Sequence, residues 1–131
     1  MSSDDAGRAV DYTEIPALSR LYLADSYVLD IIETAAQFVF RLDAVLTPQH
    51  PAYLPPPAGQ RHCYARGELT FPDVVSIEWV ARTNRRYTDA DGDKDLGNID
   101  ILRLGEGVFT VEGDWGCVRI VAAQPIFELS G

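Results

Sequence analysis

A chain of 131 residues with 20 acidic against 11 basic side chains carries a formal net charge of −9. That length can bury one core without metal or disulfide staples. The negative charge disfavours nucleic-acid phosphates and anionic membranes as partners. With 47% apolar and 24% charged residues, the composition is that of a globular domain and excludes global disorder. Cationic partners are favoured, basic proteins and metal ions among them, although acidity also serves solubility alone.

The opening MSSDDAGRAVDYTEIP has neither a basic nor an apolar signal region. No apolar run approaches the ~18 residues of a spanning helix. A cytoplasmic, reducing setting is the expectation, with Cys63 and Cys117 as buried thiols. Both cysteines fall in expected strands, so a disulfide between them stays geometrically open.

Residues 1–14 are small, polar and acidic and read as a flexible tail; residues 15–131 read as a single β domain. Residues 15–23 fit a short helical turn or a lead-in strand, with Thr13 a possible cap and Pro16 limiting any helix. From Ser26 to Glu33, Tyr27, Leu29 and Ile31 alternate with Val28, Asp30 and Ile32. Thr34-Ala35-Ala36 then connects to the clearest strand, Gln37 to Leu46. Phe38, Phe40, Leu42, Ala44 and Leu46 share one of its faces and Arg41 and Asp43 the other.

Thr47 to Gln60, TPQHPAYLPPPAGQ, holds five of the chain's eight prolines. Proline donates no backbone hydrogen bond, so this stretch is extended and excluded from the centre of a sheet. It reads as a stiff cover over one end of the sheet, with a functional loop as the other reading. Alternation resumes from Arg61 to Phe71, where Gly67 is a candidate bulge. Val75, Ile77, Trp79 and Ala81 read as another buried face, with Ser76 and Glu78 opposite. The runs Ile99–Leu104, Val108–Glu112 and Cys117–Ala123 are separated by Gly105-Glu106-Gly107 and by Gly113-Asp114-Trp115-Gly116, as in an antiparallel meander. Pro125 precedes a short edge strand, Ile126–Leu129. Seven to eight strands with little helix predict an antiparallel β-sandwich or a partly closed barrel.

Two places invite chemistry. Asp89, Asp91, Asp93 and Asp95 recur on every second residue of a polar loop, and Asp100 would complete positions one, three, five, seven and twelve of a calcium loop. Lys94 stands where the sixth-position glycine belongs, and neither flank is helical, so an EF-hand is excluded. A calcium loop on a β scaffold and a solvated hairpin loop with Asx-turns remain, the second fitting better. Trp115, in a four-residue turn, is an interface anchor if exposed. Folded back, it closes the core beside Trp79, as aromatic side chains usually do.

His50, His62 and Cys63 lack zinc-site spacing, and neighbouring strand residues such as His62 and Cys63 point to opposite faces. There is no G-x-S-x-G, H-E-x-x-H or phosphate-binding glycine loop. Nothing implies catalytic residues or a cofactor.

At G-N-I-D (97–100) and E-G-D-W-G-C-V-R-I (112–120), with D-S-Y-V-L-D-I (25–31) and T-P-Q-H-P-A-Y (47–53), the chain resembles small bacterial proteins of uncharacterised families. Some of these look like immunity proteins that neutralise toxins. The resemblance implies a bacterial, cytoplasmic setting and assigns no functional residue. The expectation is a small acidic protein-binding module, an immunity or inhibitor protein against a basic partner. Asp89, Asp91, Asp93, Asp95 and Trp115 are its candidate contacts. A small-ligand or calcium-binding β domain is the alternative.

Overall fold

The computed structural model describes residues 9–83, 87–88 and 94–130, with residues 87, 88 and 94 described by backbone alone. The strands in chain order are β1 (Val10–Asp11), β2 (Leu21–Glu33), β3 (Phe38–Leu46), β4 (Cys63–Phe71) and β5 (Ser76–Arg82). They continue with β6 (Tyr87–Thr88), β7 (Lys94–Asp95), β8 (Ile99–Gly105), β9 (Val108–Gly113), β10 (Gly116–Val121) and β11 (Ile126–Leu129). One sheet runs β1-β8-β9-β10-β5 and the other β11-β4-β3-β2, all neighbours antiparallel; β6 and β7 form a small ribbon. The result is an open β-sandwich, not a closed barrel.

β3 lies inside its sheet, and period-two alternation puts Phe38, Phe40, Leu42 and Ala44 wholly out of solvent. An aromatic chain crosses the layers from there. Phe40 meets Phe38 at 5.0 Å and Trp115 at 5.1 Å between ring centroids, and Phe71 meets Phe109 at 5.2 Å. Tilted and edge-on pairs of this kind add about 0.5–1.5 kcal/mol each beyond their area burial. Leu69, Leu102, Val111, Val118 and Ile120 fill the remaining core.

The turns account for their residues. At the β8–β9 hairpin Glu106 and Gly107 both take positive φ, 53° and 79°, as the right-handed twist of a tight hairpin requires. A 3-10 turn, Tyr12–Glu14, is capped by Asp11 in a capping box with Glu14.

Several expectations are corrected. Gly67 is no bulge, since the β3–β4 register runs unbroken from Phe38↔Phe71 to Leu46↔Cys63. A Cβ there would collide with the Phe127 ring and the Glu128 carbonyl, so glycine is needed for close approach. The run from Val75 to Ala81 is not a buried face, because β5 is an edge strand. Ile77 and Trp79 are half-buried there, and Val75 is 79% exposed. Both cysteines are free and half-buried.

β2 departs furthest from simple alternation. Its register with β3 shifts between Tyr22 and Tyr27 and again between Val28 and Asp30. Ser26, 1% exposed, repairs the first irregularity: its hydroxyl donates to the Tyr22 carbonyl at 2.7 Å and accepts the Val45 N–H at 2.9 Å. Ala24 and Asp25 are left exposed on the bulge. Past the bulge, Val28 exchanges backbone hydrogen bonds with Leu96 and Gly97, joining the two sheets along this side of the sandwich.

Candidate functional site: an acidic, tyrosine-walled cleft

At the bulge of β2 the surface opens into a cleft of about 570 Å³. Four stretches far apart in sequence build it. β2 supplies Ala24, Asp25 and Tyr27, and the entry to β4 supplies Arg61, His62 and Tyr64. The β7–β8 connection supplies Asp95, Gly97 and Asn98, and the β9–β10 turn supplies Asp114.

Tyr27 and Tyr64 flank β3 from either side and stack with ring centroids 6.1 Å apart and planes 19° from parallel. They are 42% and 41% exposed, a large aromatic surface left facing water. The His62 ring stands edge-on to Tyr64 at 5.9 Å, and its Nε2 lies 3.7 Å from Asp25 Oδ2. Burial is the main cause that pushes the Tyr64 hydroxyl up to about 12. The charge and hydrogen bond of the Tyr27 hydroxyl act the same way, followed by Asp43 and Asp25. Both nearby carboxylates thus act to keep the phenol neutral.

The opposite wall rests on Trp115. The sequence left this side chain between interface anchor and core plug, and it is fully buried, so an exposed-anchor role is ruled out. Its indole packs 5.1 Å from Phe40 and 5.9 Å from Trp79 and donates to the Asn98 carbonyl at 3.0 Å. A side chain at Gly113 would overlap that carbonyl and the indole nitrogen, and one at Gly116, φ 134°, would strike the Ala81 carbonyl. Both glycines let the turn fold its tryptophan inward. Asp114, the residue before the plug, stays exposed at the cleft.

Asn98 carries the order onward. Its side-chain amide donates to the Ala24 carbonyl at 2.8 Å and to Asp100 Oδ1 at 2.9 Å, tying the β2 bulge to β8. Asp95 is 8% exposed and accepts the Gly97 N–H at 2.8 Å in an Asx-turn. Gly97, φ 101°, sits so close beneath Asp114 that a Cβ would touch its carboxylate.

Of the candidate contacts named from sequence, Asp95 alone lines this cleft, together with His62, which was weighed there only as a zinc ligand. Asp89, Asp91 and Asp93 lie outside the described residues. Among the described residues no group of three or more His, Cys, Asp or Glu side chains is arranged to hold a metal ion. No helix among them is long and apolar enough to cross a membrane. Sequence reasoning missed Asp25, Tyr27, Tyr64, Asn98 and Asp114 as a group. The one available signal was a tyrosine at an outward position of a strand, Tyr64 opposite the apolar positions Cys63, Ala65 and Leu69. No family model, curated protein or solved structure matches the chain.

Proposed function

We propose that this protein is an acidic binding module whose cleft receives a cationic side chain, arginine or lysine, from a basic protein partner. The observation behind this reading is the meeting of Asp25, Asp95 and Asp114 with the exposed Tyr27–Tyr64 stack around one opening. Carboxylates attract the cation, and a tyrosine face adds about 0.5–2 kcal/mol through its quadrupole. Arginine suits both, because its planar guanidinium stacks on rings while its fork donates to carboxylates. The net charge of −9 serves the same partner at long range by raising the encounter rate. Covering a basic surface is what an immunity or inhibitor protein does, and that is the role we assign.

Capture of partners from a bacterial lysate by the wild-type protein, with Asp25→Asn/Asp114→Asn as the comparison, tests the reading. A basic protein recovered by the wild type and lost by the double variant supports it. The same partner held equally by both, at equal strength across salt concentrations, overturns it.

A further inference from the structure

The outer face of the five-stranded sheet carries a row of directly opposed residues: Asp11, Arg103, Thr110, Arg119 and Glu78, on β1, β8, β9, β10 and β5 in turn. Their neighbours along the strands, Leu102, Phe109, Val111, Val118 and Ile120, are buried in the core, so strand alternation turns the row outward. Arg103 and Arg119 are exposed, and Thr110 between them is half-buried. At the usual strand spacing the Cα atoms of the two arginines lie about 10 Å apart, with Thr110 midway.

As a ladder of ion pairs this row is poorly made. Asp11 Oδ2 is committed to the Thr13 N–H and hydroxyl, at 3.2 and 2.7 Å. Arg103, opposite it, makes no side-chain hydrogen bond or ion pair among the described residues. Arg119 Nη1 stays 3.8 Å from Glu78 Oε1, beyond hydrogen-bond range. Glu112, in the next row between Ile101 and Cys117, receives no hydrogen bond from either arginine, and the Thr110 hydroxyl has no partner among the described residues. Both positive charges are nevertheless felt at one point of this face: burial and then Glu112 push the Cys117 thiol up, while Arg103 and Arg119 both pull it down. Two guanidinium groups and a hydroxyl thus share a patch with their donors unspent, in a chain where 20 acidic residues are available to 11 basic ones.

We propose that Arg103, Thr110 and Arg119 form a binding site for one oxyanion, a phosphate or carboxylate group carried by a ligand. A guanidinium fork donates two parallel hydrogen bonds to such a group, and two forks closing from either side, with a hydroxyl between them, satisfy its oxygens. The net charge of −9 repels a polyanion, so the ligand class is a single anionic group and not a nucleic-acid backbone. The site is separate from the cation cleft, whose lining includes none of the three residues, and does not depend on it.

The test titrates inorganic phosphate, and separately acetate, into isotope-labelled protein at neutral pH, with chloride holding the ionic strength constant, followed by amide chemical shifts. Saturable shifts centred on Arg103, Thr110 and Arg119, with a Kd of about 10 mM or below, are expected. Saturation by phosphate alone assigns a tetrahedral anion, by acetate alone a carboxylate, and by both an oxyanion of either kind. Arg103→Gln and Arg119→Gln should each weaken binding at least about fivefold, through loss of a charge-assisted hydrogen bond, and Thr110→Val about twofold. Arg66→Gln, at an exposed arginine of the other sheet, should change nothing. Shifts that grow linearly with either anion, or that persist undiminished in Arg103→Gln/Arg119→Gln, would overturn the site.

Discussion

Replacing Trp115 with phenylalanine perturbs the core and the site wall together. The indole is wholly inaccessible, and losing roughly 60 Å² of its buried surface costs about 1.5 kcal/mol at about 25 cal/mol per Å². The part-buried Asn98 carbonyl also loses the donor it accepts at 3.0 Å, and leaving it unsatisfied costs about 1–3 kcal/mol. The expected loss is therefore about 2.5–4.5 kcal/mol. For 131 residues, an unfolding entropy of about 2.1 cal/mol/K per residue converts this to a Tm lowered by about 9–16 °C. Calorimetry supplies the Tm, and urea unfolding with an unchanged m-value guards against a shift in the denatured state. Tyr22→Phe, an exposed control, should stay within about 2 °C. A Trp115→Phe protein melting within about 4 °C of the wild type would refute the claim that the indole is both a core plug and a hydrogen-bonded strut.

Phe40→Ala should cost about 3–5 kcal/mol by denaturant unfolding, since the ring is 0% exposed and touches Phe38, Phe71 and Trp115. Tyr64 should ionise near pH 12 in an alkaline spectrophotometric titration, and Tyr27→Phe should bring it part of the way back toward 10.0, burial being the larger cause. Because its folded pKa lies above the unfolded one, Tyr64's contribution to stability is present below about pH 10 and is lost as pH rises through 12. His50 works in the opposite sense: burial, then the Arg20 guanidinium, lowers its pKa from 6.5, in keeping with Nδ1 accepting the Ala52 N–H. Its contribution is present above pH 6.5 and lost as pH falls toward the depressed folded value, so His50→Asn should flatten the dependence of Tm on pH between 8 and 5.

β3 was legible because its five inward apolar residues sit at period two in an unbroken register with β4 and all are buried, although Val39 and Val45 on its other face are covered as well. The glycine pairs of the last two hairpins were legible because backbone conformation is a local property. β2 was harder, since each bulge moves the following side chains to the other face. Alternation counted straight through Ser26–Glu33 puts Val28 and Ile31 on opposite faces, yet Val28 is 0% exposed and Ile31 packs against the core. β5 misled for a topological reason: its apolar alternation is that of a central strand, but its place at the sheet edge depends on which strand pairs with β10. Nothing within residues 75–81 encodes that choice.

The cleft stayed hidden because its order is relayed between segments. Trp115 holds the Asn98 backbone, the Asn98 side chain holds Ala24, and Gly97 is held by both Asp95 and Val28. This relay consumes the donors of the wall. The Asn98 amide is engaged twice, and the Gly97 N–H is taken by Asp95. The acceptors are left over: Asp25 has only the 3.7 Å approach of His62, and the Asp114 carboxylate meets no hydrogen-bond donor among the described residues. Among the described residues Arg61, exposed at the rim, is the one fixed positive charge lining the opening. A ligand entering here meets carboxylate lone pairs and tyrosine faces, both of which reward a donor with positive charge and penalise an anion. The selectivity for cations that we propose would thus follow from how the fold spends its own hydrogen bonds, and not only from an excess of acidic residues on the surface.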